Sequence, residues 1–364
     1  MTELRVCFFI PSFADGGAQR QCIMLLNELG TRPNVHVTLV RTASGVHDHL
    51  LSTDGIEVRN IRLRSNFDPM VIPRVARLLR ETKSQILISW LQASDVPSYF
   101  IRMLSRDTKW IMTERNSFYR NEWRFRLRNW VGRRADAIIS NSSAGDAYWA
   151  ALQPNGNRYV IGNVVTAPGT SRNSHVRFSG TRLVVFAGRL EAQKNVGVTL
   201  EAFITASARD PNLRFRIIGE GSERGSLERR TRIAGLGETI EFTGFVPDLQ
   251  PHLAEADLLV TLSTYEGMPN VLVEAITTGV PVVVSGISQH LEIVGADYPY
   301  VVDVGADAQT AADAIISAAY DAGAPDTLAD ARAALLARTP TRVADEYLDA
   351  FRHTIRSSQS PLLD

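Results

Sequence analysis

Residues 183–195 read Leu-Val-Val-Phe-Ala-Gly-Arg-Leu-Glu-Ala-Gln-Lys-Asn: five apolar residues, a glycine, then a polar loop carrying Arg189 and Lys194. A helical pattern follows over Val198–Ala208, so the stretch predicts a buried strand, a loop at its end and a crossover helix. The unit recurs. Further strands are expected at Arg214–Ile218, Ile240–Thr243, Leu258–Thr261 and Val282–Ser285, with helices at Glu223–Ile233, Leu249–Glu255 and Val271–Thr277 between them. The first half has the same rhythm, with strands at Leu4–Ile10, Val35–Val40, Ile86–Trp90, Lys109–Met112 and Ala137–Ser140. Its helices are expected at Ala18–Leu29, Val71–Arg80, Ser94–Leu104, Trp123–Val131 and Ser143–Ala151. Such alternation predicts parallel sheets covered by helices on both faces, in two doubly wound Rossmann-like domains of the α/β class.

The chain of 364 residues is long enough for two such domains. Between the halves, Thr166–Gly180 is rich in Ser, Thr, Asn, Pro and Gly, the composition of a linker. The expected organisation is a domain over 1–165, a linker over 166–180, a domain over 181–340 and a tail over 341–364. The amphipathic stretch Thr341–Ile355 has two possible partners: it can cap the second domain or pack back on the first. Ligands of open α/β sheets bind outside the carboxyl ends of the strands. Six polar segments follow predicted strands here: Pro11–Gly17, Thr113–Phe118, Gly188–Asn195, Ile218–Gly225, Gly244–Val246 and Ser263–Asn270. Together they favour one site in a cleft between facing domains.

The chemistry of that site is suggested by Glu266-Gly-Met-Pro-Asn-Val-Leu-Val-Glu274, in which two carboxylates flank a helix start marked by Gly267, Pro269 and Asn270. A glutamate pair at this spacing is common by chance and has a bland reading as helix capping and a surface ion pair. The turn chemistry gives it weight. Of 39 basic residues only Lys83, Lys109 and Lys194 are lysines, so a lysine beside Arg189 in a strand-end loop stands out. A compact ammonium and a bidentate guanidinium can do different jobs on a diphosphate, and carboxylates suit sugar hydroxyls.

Bulk properties exclude other classes. Net charge is zero, which argues against a general nucleic-acid binder. Cys7 and Cys22 make neither a disulfide framework nor a zinc pattern, and they fit a reducing compartment. No apolar stretch reaches the ~18 residues of a membrane span, so a cytoplasmic, soluble protein is expected. Gly219-Glu-Gly221-Ser-Glu-Arg-Gly225 is one residue too long for a dinucleotide fingerprint, and His47-Asp48-His49 lacks a third ligand for a metal. The segment Tyr119–Arg134 interleaves Tyr119, Trp123, Phe125 and Trp130 with six arginines. It reads either as a helix burying its aromatics or as a surface for an anionic membrane.

These motifs resemble the retaining glycosyltransferase family 4, whose fold is GT-B. The resemblance is most specific in "FAGRLEAQKN", "IIGEGSERGSLE", "FTGFVPDL" and "STYEGMPNVLVEAITTGVPVV", and extends to "SFADGGAQR", "ISNSS" and "IGNVV". It implies transfer of a sugar from a UDP- or GDP-linked donor, with retention and without a metal or other cofactor. The implied acceptor is a glycan or a polyprenyl-diphosphate-linked sugar in surface-polysaccharide synthesis, which places the enzyme at the inner face of the plasma membrane. By the resemblance, Arg189 and Lys194 would bind the donor diphosphate, Glu266 the sugar and Glu274 the ribose. Gly188, Gly221, Gly267, Met268 and Asn270 would lie along the donor, Phe245 and Val246 beside the base, and Gly16 and Gly17 against the diphosphate. Many relatives carry a histidine where this chain has Thr113-Glu114-Arg115-Asn116, so Glu114, Arg115 and Asn116 are the acceptor-side candidates. The usual Gly-Gly-x-x-Glu stretch appears as Gly286-Ile-Ser-Gln-His-Leu-Glu292. A nucleotide-sugar epimerase, a phosphorylase and a non-catalytic nucleotide-sugar sensor are the competing readings.

Overall fold

Two all-parallel sheets organise the computed structural model, which describes residues 3–14, 16–65, 68–116, 122–169 and 180–357. The first sheet has seven strands: β1 (Leu4–Phe9), β2 (Val35–Arg41), β3 (Ile56–Asn60), β4 (Ile86–Ser89), β5 (Lys109–Glu114), β6 (Ala137–Ser140) and β7 (Arg158–Val160). Their spatial order is β3-β2-β1-β4-β5-β6-β7. The second has six: β8 (Arg182–Ala187), β9 (Leu213–Ile218), β10 (Ile240–Gly244), β11 (Leu258–Thr261), β12 (Val282–Ser285) and β13 (Val301–Val302), in the order β10-β9-β8-β11-β12-β13. In each sheet the order reverses beside the first strand, the arrangement of a doubly wound domain. Central strands such as β4, β6, β11 and β12 are buried along their whole length, as a sheet covered on both faces requires.

Every predicted strand and helix is present to within two residues. The strands that the sequence does not announce lie away from the centre of their sheets: β3, whose Ile-Glu-Val-Arg-Asn is half exposed, the three-residue β7 and the two-residue β13. Edge strands need only one apolar face, so their signal is weak.

The chain divides into two units, residues 1–164 with 338–364, and residues 165–337. The tail thus belongs with the first unit. Its helix Pro340–Arg356 is capped by the Thr339 hydroxyl, which accepts from the Arg342 amide, and has Pro340 in its first turn. Proline tolerates that position because its missing N–H has no helical partner there, which is why this helix starts at the apparent break at 340. Val343, Tyr347, Leu348 and Phe351 are buried in the first core, against helix Gly17–Gly30.

The first unit also encloses an ion cluster. Arg128, on helix Trp123–Gly132, donates from Nε to Asp95 Oδ2 at 2.6 Å and from Nη1 to Glu114 Oε2 at 2.9 Å. Trp149 Nε1 donates to the same Glu114 oxygen at 2.7 Å, and Ser89 Oγ to Asp95 Oδ1 at 2.6 Å. Both carboxylates are wholly buried. Burial raises the Asp95 carboxyl to about 6, against the pull of Arg128. Removing one member of such a cluster strands the opposite charges in a dry interior. Arg128→Ala should therefore lower stability by about 3–5 kcal/mol in urea unfolding. Arg126→Ala, on the exposed side of the same helix, should stay within about 0.5 kcal/mol.

Candidate active site

In the second unit the loop after β8 and the loop after β11 are tied together by one residue, Gln193. Its carbonyl accepts from the Thr264 amide at 2.9 Å and from the Thr264 hydroxyl at 3.1 Å. Its side chain donates to Tyr265 O at 3.0 Å and accepts from Arg189 Nη2 at 2.8 Å. This lock brings Lys194 Nζ to 2.5 Å from Glu266 Oε1, which also accepts from Ser263 Oγ at 2.7 Å. Asn195, at φ +50°, turns the chain from this loop into helix Val196–Arg209. The predicted pair of cations and the first predicted glutamate thus form one cluster at two adjacent strand ends. Arg189 sits at its exposed margin and Glu266 at its buried floor.

The glycines of the stretch 219–225 serve a different purpose from cradling a dinucleotide. Gly219 has φ +135°, and a Cβ on it would stand 1.9 Å from Gly188 O. A Cβ on Gly221 would stand 2.3 Å from Leu190 O. The two strand-end loops interlock through Leu190 N to Glu220 O at 2.8 Å and Glu223 N to Leu190 O at 3.1 Å. Glu191 completes the join by accepting from the Ser222 amide and hydroxyl at 2.9 and 2.8 Å. The amide bond, first of all, holds its carboxyl below the usual range. Gly188 and Gly221 therefore fix the height of the loop that carries the cations.

The loop 262–269 delivers the chain to helix Asn270–Thr278, which starts after Pro269 and has no side-chain cap. Its first-turn amides include those of Asn270 and Val271, and Glu274 lies one turn on, half-buried. Gly267 is buried and Met268 packs partly against the core. After β10, Phe245 keeps 48% of its surface exposed while Val246 rests on the core, so the aromatic face is open to a stacking partner. Behind the cluster, His290 on helix Ser288–Val294 is fully buried, and burial lowers its imidazole to about 4.

The first unit places its candidates differently. Gly17 opens helix Gly17–Gly30, and Gly16 precedes it with φ 160°, an extended backbone. The acceptor-side expectation for Glu114 needs correction. Its carboxylate is enclosed, and its Oε1 accepts from the amides of Arg115 and Asn116, each at 2.9 Å. Its part is to shape the loop from inside. Arg115 is likewise engaged, donating to Asn163 Oδ1 at 2.9 Å and Tyr347 OH at 2.5 Å with its guanidinium 3.9 Å above the Trp90 ring. Asn116 remains at the half-exposed end of the loop. Among the described residues no group of three or more His, Cys, Asp or Glu is placed to hold a metal; Asp48 instead pairs with Arg41 at 2.6 Å.

Two family models match adjoining stretches of this chain: Glycosyltransferase Family 4 over residues 15–167 and Glycosyl transferases group 1 over residues 169–333. The chain belongs to the GT-B glycosyltransferases. This glycosyltransferase is 24% identical over 277 residues to the lipopolysaccharide core biosynthesis glycosyltransferase LpsE of Rhizobium meliloti, covering 74% of this chain and 75% of that protein. It is 24% identical over 290 residues to a Campylobacter jejuni alpha-1,4-N-acetyl-D-galactosaminyltransferase acting on a diNAcBac-PP-undecaprenol-linked glycan, covering 75% and 77%. Among solved structures, Anabaena HepE in complex with UDP and glucose superposes with a TM-score of 0.82 at 18% identity, covering 96% of this chain and 100% of that one. Four residues of the glycosyltransferase's cluster lacked a sequence signal of their own: Gln193, Ser263, Ser285 and His290. Gln193, Ser263 and His290 sit inside quoted motifs and Ser285 ends a predicted strand, but only their contacts disclose their parts.

Proposed function

We propose that the glycosyltransferase moves a hexosyl group from a UDP- or GDP-linked donor to a glycan or polyprenyl-diphosphate-linked acceptor in cell-surface polysaccharide synthesis. The observation that carries this reading is the Gln193 lock, which holds Arg189 and Lys194 together beside Glu266 and the helix bearing Glu274. Relatives that act in lipopolysaccharide core synthesis and on an undecaprenol-linked glycan support the acceptor class. A neighbour in complex with UDP and glucose supports the donor class.

In this reading the diphosphate is held by Arg189, Lys194 and first-turn amides of helix Asn270–Thr278, where the helix dipole favours negative charge. Lys194 has three protons to give, so it can keep Glu266 and still donate to a phosphate oxygen. Glu274 accepts from the ribose hydroxyls, Glu266 from the sugar, and Phe245 stacks on the base. As the bond from the anomeric carbon to the phosphate oxygen breaks, negative charge gathers on the diphosphate and the fixed cations stabilise it. The acceptor oxygen bonds to the same face of that carbon, and its proton passes to the departing diphosphate. Retention follows from the shared face, and the two cations take the part a divalent ion plays elsewhere.

A membrane-facing position, on the cytoplasmic side, belongs to the same proposal. Helix Trp123–Gly132 exposes Trp123, Leu127 and Trp130, and its neighbour Gln92–Leu104 exposes Phe100, Met103 and Leu104. Tyr99 and Trp130 join the two helices ring to ring at 5.5 Å. Arg124, Arg126, Arg133 and Arg134 border this apolar surface, a pattern suited to anionic lipid headgroups. Arg128 takes no part, being buried, and residues 117–121 lie outside the described residues. Among the described residues no helix is long and apolar enough to cross a membrane.

Titration of UDP and GDP into the protein should show binding of one of them, weakened by about 1.5–3 kcal/mol in Glu274→Ala through loss of charge-assisted hydrogen bonds. Binding of neither would overturn the donor assignment. Lys194→Ala should fold as the parent does and lose roughly 10²–10³ in turnover, measured with a chelator present; near-parental turnover would remove Lys194 from the leaving-group role. Vesicles containing phosphatidylglycerol should bind the protein and neutral ones should not, with Trp123→Ser weakening the effect. Equal binding to both, or to neither, would rule out the docking surface.

A further inference from the structure

Oε1 of Glu266 accepts from two donors at once, Lys194 Nζ at 2.5 Å and Ser263 Oγ at 2.7 Å. In the donor reading Lys194 has a second task, at the diphosphate. Ser263 has none. It is wholly buried, and its one hydroxyl proton goes to the Glu266 carboxylate. The direction of the neighbouring bonds follows from that commitment. Thr261 Oγ1, 3.4 Å from Ser263 Oγ, has to be the donor of that pair. Ser285 Oγ donates to Ser263 O at 2.5 Å. Behind it, His290 Nδ1 lies 3.0 Å from Ser285 O, a carbonyl that can only accept, so this nitrogen carries a proton. Its Nε2 is enclosed and meets no hydrogen-bond partner among the described residues.

These bonds tie the ends of two adjacent parallel strands, β11 and β12, into one directed chain. Its far end is sealed at His290. Its near end reaches Glu266, whose side chain keeps 8% of its surface accessible beside Lys194 at 15%. Hydroxyls aligned donor to acceptor in a dry interior polarise and strengthen one another. What they secure here is the carboxylate. If Lys194 alone fixed Oε1, its turn toward a phosphate oxygen would loosen that oxygen just as the sugar came to depend on it. Ser263 holds Oε1 from the buried side, away from the phosphates.

We propose that Ser263 is a positioning residue for the transferred sugar: its hydroxyl, backed by Thr261 and Ser285, holds the Glu266 carboxylate in place and leaves Lys194 free to serve the diphosphate. The inference rests on the donor reading above and deepens it by dividing the two donors to Glu266 into one that stays and one that is shared. A bond that acts through Glu266 acts where the sugar lies. Its loss should be felt by the sugar nucleotide and hardly at all by the nucleoside diphosphate.

Three substitutions separate the hydroxyl from the space it fills. Ser263→Ala removes it, Ser263→Cys keeps the bulk with a much weaker donor, and Ser263→Thr keeps the hydroxyl. Calorimetry with UDP, UDP-glucose, GDP and GDP-mannose, with melting curves to confirm folding, gives the test. The Ala and Cys variants should bind the sugar nucleotide about tenfold more weakly, and its nucleoside diphosphate within about twofold of the parent. The Thr variant should recover most of the loss. In a Glu266→Ala background, Ser263→Ala should weaken sugar-nucleotide binding no further, because it acts through that carboxylate. Equal weakening of nucleotide and sugar nucleotide, weakening of neither, or the full loss again in the Glu266→Ala background would overturn the proposal and leave the donor reading intact. A parent protein that binds neither nucleoside diphosphate would instead bring down the donor reading, and this inference with it.

Discussion

A parallel sheet covered by helices on both faces has nowhere to put polar chemistry except beyond its strand ends. In this protein β11 and β12 are buried throughout and apolar up to their last residues, and the polar groups gather at their ends: Thr261 and Ser263 to Glu266 at one, Ser285 to His290 at the other. A site assembled from strand-end loops inherits their freedom, and that freedom has to be removed by contacts between loops. Gln193 binds the loop after β8 to the loop after β11, Glu191 and the glycine pair bind it to the loop after β9, and Ser285 binds β12 to Ser263. Positioning of this kind is what lets a cation act on a leaving group without reorganising at the moment of reaction.

The two ion clusters show opposite uses of the same groups. Asp95, Arg128 and Glu114 are sealed from water and close on one another, with one indole donor from Trp149 and one hydroxyl donor from Ser89 in support. Their geometry fixes three elements and offers nothing outward. Lys194 and Glu266 keep a small solvent-facing fraction, and the pair sits beside an exposed arginine. A cation held by a carboxylate stays oriented and partly neutralised, so in the proposed reading the donor diphosphate would meet a charge already aimed. Burial sorts the two clusters more clearly than residue type does.

Much of this could be read from the chain itself. Unbroken apolar runs ending in Gly or a polar turn marked the central strands, and Arg189, Lys194 and Glu266 in the trailing loops marked a cluster that the structure brings together. The silent parts share a cause. β3, β7 and β13 sit away from the sheet centres and lack the continuous apolar run, and Gln193 and His290 gain meaning only from partners up to 72 residues away or from a missing one. Glu114 and Arg115 misled in the other direction: a charged loop after a strand looks available to ligand, and only Arg128, Trp149, Asn163 and Tyr347 reveal that both are spoken for.

The return of helix Pro340–Arg356 to the first unit has a temporal side. Tyr347 and Phe351 fill a core whose other walls include Val6, Leu26 and Ile139, all synthesised before the whole second unit is translated. A growing chain therefore carries an unfinished first unit, with the bed for this helix uncovered, while the second unit is able to complete itself. The unit made first is the last to be finished, and the ribosome, or a chaperone waiting beside it, meets its apolar bed for that entire interval.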